Sequence, residues 1–389
     1  MLSRQVIATI FLSSAAAAVP VARAQQTAAP VRLAVGFGVD TARSPNREIL
    51  ALYQAYLEHR ADSVAARAYW SQAEQRQWPI YDLLSGYIYQ GFTHFTVVHL
   101  APAVGLDSTY LIRTLISAVD DSTRDVRPLA LYRVYATREA GRWVLANALP
   151  RLTRDWRHAV IGRVTFVYPP GQRFERRRAA TSAAFVDSLA HAFRVPVPAP
   201  IAYYFTGDMI ETFSSTGLDF FPIGSDTVGG RVNFFDHLVL IGSSSSGEAY
   251  RHELAHMVLT PLFVGARTPG RVMEGLMTWV GGSAGLNYPH LLPGLARYVE
   301  AHPELTLDTV LSDPPPRDGT LDVGYDGAAV LCAMVYDKGG VDAVREFVTA
   351  GPTPVETLKT AARLLGVSRD SLDALWRSRV LQGPSSSGP

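Results

Sequence analysis

The chain has one cysteine, two lysines and, beyond its first twenty residues, no apolar run long enough to span a membrane. A single thiol excludes an intrachain disulfide, so the fold depends on its apolar core and on any metal it holds. Cys332 lies inside the apolar run 328–335 and reads as a buried, inert thiol. No Cys/His arrangement marks a thiol nucleophile. With lysine confined to Lys338 and Lys359, almost every cation is arginine, a bias of the whole chain and not a patch. Arg173, Arg176, Arg177 and Arg178 form the one basic run, read as a solvated loop and helix start before an amphipathic pattern over 179–193. Nucleic-acid binding would need more charge and interleaved aromatics. The net charge of +1 likewise argues against nucleic acid or an anionic membrane as main partner. The glycine pairs at 229–230, 281–282 and 339–340 lack a phosphate-loop pattern and read as turns. There is no internal repeat.

What is present begins with a targeting signal. Arg4 supplies a positive start, residues 6–19 an Ala-rich apolar stretch, and Ala22-Arg23-Ala24 a small-residue cleavage site. Residues 1–24 therefore read as a signal peptide cut after Ala24, which places the mature chain outside the cytoplasm, secreted or periplasmic. A retained anchor is the other reading, though no stable membrane anchor is expected. Cleavage removes two arginines and no acid, leaving 34 cations against 35 anions. About 365 residues exceed one typical core and suggest two domains.

Residues 25–43 read as a flexible leader. Ser44-Pro45 reads as a cap and first helical turn, with Ile49, Leu50, Tyr53, Tyr56 and Leu57 on one apolar face. A second helix is expected around 64–75. Strand patterns follow over 129–137 and 143–149, joined by a turn at Glu139-Ala140-Gly141-Arg142. Further on, 164–168 and 201–205 read as strands around the 179–193 helix, and 234–241 as another strand. After residue 289 the pattern is nearly all helical, with a capping box at Thr353-Pro354-Val355-Glu356, a Gly366 stop and a Ser368 cap. Residues 383–389 read as a disordered tail.

The chemistry is concentrated in His252-Glu253-Leu254-Ala255-His256. On a helix, residues four apart share a face, with Cβ atoms about 5–6 Å apart. Two imidazoles so placed can each reach one Zn²⁺ at about 2.0–2.1 Å. Glu253 projects toward the same ion and can take a proton from its water. Ser245 and Glu248 have capping-box spacing ahead of this helix, and Tyr250, Leu254, Met257, Val258 and Pro261 give it an apolar face. The bland alternative is a helix with two core or surface histidines and an exposed Glu. A catalytic zinc needs a third protein ligand and an open position. Leu262 excludes a histidine six residues after His256, and Leu259 replaces the metzincin glycine. Glu274, eighteen residues on, follows the helix-start signal Thr268-Pro269-Gly270. On its own it also fits a solvated helix charge.

Together these residues resemble the gluzincin metallopeptidases, and most closely their compact peptidase MA-like branch. The resemblance rests on His252-Glu253-x-x-His256 followed by Glu274-Gly275, with a softer helical match through Tyr325-Asp326-Gly327-Ala328-Ala329, Gly339-Gly340 and on to Trp376. It covers roughly 155–380. It implies His252, His256 and Glu274 as zinc ligands and Glu253 as general base, then acid to the leaving amine. It also implies an oxyanion-stabilising tyrosine, for which Tyr325 is the candidate and Tyr288, Tyr298 and Tyr336 compete. The chain departs from the larger aminopeptidases in lacking G-x-M-E-N. It departs from thermolysin-like enzymes in placing Thr278 where an Asp orients a histidine, so that support must come from elsewhere. Residues 44–150 resemble, in shape alone, the cone fold of the nuclear-transport-factor-like superfamily, a spacer or substrate-docking module that could bind a small ligand.

The expected class is α+β: N-terminal helices with a curved antiparallel sheet, then a zinc peptidase domain with a mixed sheet, an active-site helix and a helical half. The expected function is peptide-bond hydrolysis on a peptide or protein substrate. The alternative is a non-catalytic ligand-binding or scaffold protein with a structural or vestigial zinc site; a third option is hydrolysis of another amide, such as one in a cell wall.

Overall fold

The computed structural model describes residues 31–78, 94–120, 122–220, 228–266, 268–312, 317–318 and 321–383. The expected signal peptide and residues 384–389 of the expected tail lie outside them. The chain is of mixed α+β class, with curved mixed sheets. In the first half, β1 (Arg32–Val35), β2 (His94–Pro102), β3 (Thr109–Val119), β4 (Val126–Glu139) and β5 (Arg142–Ala146) form one sheet in that order. The pairs are antiparallel except β1 with β2, which is parallel. So part of the expected leader is a strand. Helices α1 (Asn46–His59), α2 (Ser63–Arg67) and α3 (Gln72–Gln75) lie in the same half. The single helix expected at 64–75 is therefore two short ones, each with its own cap, Asp62 and Ser71. Ser44 does not cap α1; its hydroxyl donates to Glu48 instead.

Alternation along β3 and β4 sends Ile112, Ile116, Tyr132 and Val134 against Tyr53, Tyr56 and Trp70. These are fully buried or nearly so. At about 1.5–3 kcal/mol per large buried side chain, their packing supplies the drive for this half.

A short helix, α4 (Ala148–Leu152), leads to the second sheet. Its strands are β6 (Arg157–Ile161), β7 (Val164–Tyr168), β8 (Ile201–Thr206), β10 (Val228–Asn233) and β11 (Leu238–Ser243), in the order β10-β11-β8-β7-β6. β7, β8 and β11 run parallel; β6 and β10 are antiparallel edges. Parallel strands need crossovers, and α5 (Arg176–Ala192) supplies one between β7 and β8. The arginine run at 176–178 is therefore the first turn of α5. Between β8 and β10, α6 (Met209–Ser215) leads into β9 (Leu218–Phe220), which pairs with β4 of the first sheet. Asp219 on β9 joins Arg133 (2.7 Å) and Arg113 (3.5 Å), fastening the two halves.

Helices complete the second half: α7 (Arg251–Leu259), α8 (Gly270–Gly281), α9 (Tyr288–Ala301), α10 (Leu307–Val310), α11 (Val323–Val348), α12 (Pro354–Leu365) and α13 (Arg369–Gln382). The expected capping box at Thr353 and Glu356, the left-handed Gly366 stop and the Ser368 cap all form. Gly339 and Gly340 lie inside α11, at a kink and not in a turn between elements. Cys332 is buried, and burial pushes its thiol up. Among the described residues no helix is long and apolar enough to cross a membrane.

α8 packs tightly on α11 at Gly275. A Cβ on Gly275 would sit 2.4 Å from Ala328 Cβ and 2.8 Å from its backbone carbon. Gly275→Ala therefore sets a helix-propensity gain of about 1 kcal/mol against overpacking of about 1–3 kcal/mol. Backbone cannot rotate away, so overpacking wins. The expected outcome is a lower urea midpoint with an unchanged slope; a midpoint that rises would overturn the close-contact account.

Candidate metal centre

The H-E-x-x-H segment forms α7, preceded by a 3-10 turn, Gly247–Ala249. The capping box expected from Ser245 and Glu248 is absent, and neither the turn nor α7 has a side-chain cap. Glu248 is buried and faces Arg178 on α5, Oε1 to Nε 3.4 Å. Burial raises the Glu248 carboxyl and Arg178 pulls it back. Arg178 also donates to the carbonyls of Ser245 (2.9 Å) and Ser246 (3.1 Å), while Tyr203 donates to that of Gly247 (2.7 Å). Two neighbouring elements thus hold the turn that starts the helix. α7 is buried on every side from His252 to Leu259, so its expected apolar face is part of an all-round core helix.

Glu274 enters from α8. Its Oε2 lies 3.1 Å from His252 Nε2 and 3.2 Å from His256 Nε2, and all three residues are buried. The three donor atoms lie within 4.8 Å of one another, and among the described residues no fourth His, Cys, Asp or Glu joins them. The group can hold a metal ion. Donors around a tetrahedral zinc at about 2.0–2.2 Å stand about 3.3 Å apart, close to these separations. His252 Nδ1 lies 2.7 Å from the carbonyl oxygen of Gly282. A carbonyl only accepts, which assigns the proton to Nδ1 and turns the Nε2 lone pair toward Glu274. Two lone pairs facing at 3.1 Å repel unless a metal ion or a second imidazole proton lies between them; the donor set fits a metal, and without one the imidazolium pairs with Glu274. Glu274, Thr278 and Gly282 fall four residues apart along one face. The histidine support, expected from somewhere other than Thr278, comes from the Gly282 carbonyl, one turn further on. Thr278 Oγ1 and His256 Nδ1 are buried without a hydrogen-bond partner among the described residues.

Glu253 is 8 % exposed, with its carboxyl raised by burial and pulled back by His252 and His256. Its side chain crosses β10 at Gly230, where a Cβ would meet Glu253 Cγ at 2.3 Å. Gly229 and Gly230 are thus strand residues, not the turn expected. The strand expected at 234–241 is also revised. Residues 234–237 are a turn, β11 is interior to the sheet, and β10 is the edge beside α7.

The Tyr325 ring is parallel to that of His252, 3° apart in plane and 6.2 Å between centroids. Burial, then Glu274, pushes its phenol well up. The Arg271 guanidinium lies over the same ring, Cζ 5.5 Å from its centroid. Among the competitors, the Tyr298 ring packs tilted against His302 and that of Tyr336 against Trp279, while Tyr288 is buried at the start of α9. Sequence reasoning missed Tyr250, buried 6.4 Å from the His252 ring, and Asp326, whose buried carboxyl is pushed up to about 7. It also missed Arg178, whose partners are too distant in sequence to leave a local signal.

No known protein family matches the chain, and no curated protein gives a significant match.

Titration of the chelated protein should expose this geometry. Burial alone would lower the His252 imidazole, but Glu274, Glu253 and the Gly282 carbonyl outweigh it and hold it at about 9, against 6.5 unfolded. The stability it contributes is complete below pH 6.5 and is lost as pH rises through 9. Asp326 acts in the same direction up to about pH 7. The melting temperature in chelator should therefore fall from pH 6.5 to 9.5, by at most about 3 kcal/mol of stability. A rise over that window would show that His252 is not charge-paired with Glu274.

Proposed function

We propose that the chain is a zinc-dependent metallopeptidase of gluzincin type, within the peptidase MA-like branch, acting on peptide or protein substrates after export. The observation that carries this reading is the three-donor group on two helices, with Glu253 beside it and no fourth donor among the described residues. A structural site would be closed by a fourth ligand. His252, His256 and Glu274 would hold the zinc, oriented at His252 by the Gly282 carbonyl.

Zinc bound there would supply Lewis acidity, making water a nucleophile near neutral pH and polarising a carbonyl. Glu253 takes the proton from the attacking water and delivers it to the departing amine. Burial raises its carboxyl, the direction that helps a base return the proton as an acid. The Tyr325 hydroxyl, with no hydrogen-bond partner among the described residues, donates to the developing oxyanion. β10 offers a sheet edge to the substrate backbone, and Gly230 leaves room for Glu253 to pack across that strand.

The test is digestion of a proteome-derived peptide library, with new termini read by mass spectrometry. Cleavage that vanishes on chelation and returns with zinc supports the reading. Cleavage no greater than that of a Glu253→Gln preparation would sink it.

A further inference from the structure

The two faces of β10 are unlike. The missing Cβ of Gly230 points at Glu253 and Ile241, that of Gly229 at Met209 Sδ (3.2 Å) on α6. Side chains alternate along a strand, so Arg231 shares the α6 face and lies opposite Glu253. Its register partner Leu240 belongs to a small buried group with Trp78, Leu149 and Tyr204 on that side of the sheet. Arg231 is half-buried and has no ion pair or hydrogen bond among the described residues. Asp219, on the strand before it in the chain, is already shared by Arg113 and Arg133. A half-buried guanidinium thus stands on the edge strand with no carboxylate paired to it among the described residues.

A strand added to that edge would place alternate side chains on the same face as Arg231. Residues directly opposite on paired strands have Cβ atoms about 4.5–5.5 Å apart, within reach of a guanidinium. We infer that Arg231 selects substrates with an Asp or Glu next to the residue that lies against Gly230. This rests on the peptidase reading and deepens it by naming the substrate class. Arg suits the task because its planar fork meets a carboxylate through two parallel hydrogen bonds.

The experiment uses zinc-loaded full chain and quenched fluorescent peptides, identical except for Asp or Lys at one position walked across the cut bond. At one position the wild type should favour Asp by about fivefold in kcat/KM, the scale of one partly exposed ion pair. Arg231→Glu should reverse that ratio, and Arg231→Gln, the milder variant, should bring it to about one. Equal Asp and Lys rates in wild type at every position, or a ratio untouched by both variants, overturns the inference while leaving the peptidase standing. If no peptide is cut, anisotropy with the Glu253→Gln chain decides. An Asp preference lost with Arg231 upholds an acid-reading edge without hydrolysis; no preference overturns both.

Discussion

Glu253→Gln should lower peptide hydrolysis by about 10²–10⁴-fold while zinc content stays at one per chain. Gln preserves the stem that packs over Gly230 and leaves the three donor atoms alone. What it removes is the ability to take a proton. Stability should move the other way. The native carboxyl is raised chiefly by burial, so holding it ionised costs the fold free energy that a neutral amide does not. The variant should melt at the same temperature or higher, as expected where a site is kept at some expense to stability. Loss of activity with loss of melting temperature would point to a structural role instead. An unchanged rate in a sensitive assay ends the proposed mechanism.

The parts of this site legible in the sequence are those encoded locally. His252 and His256 four residues apart need only a helix to share a face, and α7 is that helix. The strand at 164–168 and the capping box at Thr353 are likewise set by neighbours within a few residues. Glu274 was within reach because a turn and helix-start signal precede it. The rest depends on contacts between distant segments. Gly230 matters because Glu253, 23 positions later, lies across it; in the sequence it is half of a glycine pair that looks like a turn. Arg178 looks like one of a solvated run because Ser245, Ser246 and Glu248 are about 70 positions away. Ser245 and Glu248 had capping spacing, but Arg178 claims Glu248 and the turn needs no side-chain cap. β9 is three residues long, too short for periodicity to mark, yet it ties the second half to the first sheet.

Loss of a donor should be the other large effect, and comparison among variants of α7 and α8 tests the geometry as well as the identity of the ligands. By mass spectrometry for metals, wild type should carry about one zinc, and His252→Ala, His256→Ala and Glu274→Ala close to none. Two donors cannot replace three, since the free energy of holding a site rests on all ligands together. Activity should fall with the metal in each case. Thr278→Val is the informative control. Thr278 occupies the position from which a carboxylate would orient a histidine, but its buried hydroxyl has no partner among the described residues, and Gly282 does that work through its backbone. Valine keeps the shape and removes an unsatisfied polar atom, so zinc content should be unchanged and stability equal or slightly higher. If Thr278→Val loses zinc, the support of the site has been placed one turn too far along α8. If Glu274→Ala retains full zinc and activity, the third ligand is wrong, and the convergence of both Nε2 atoms on Glu274 is an ion-paired cluster and not a metal centre.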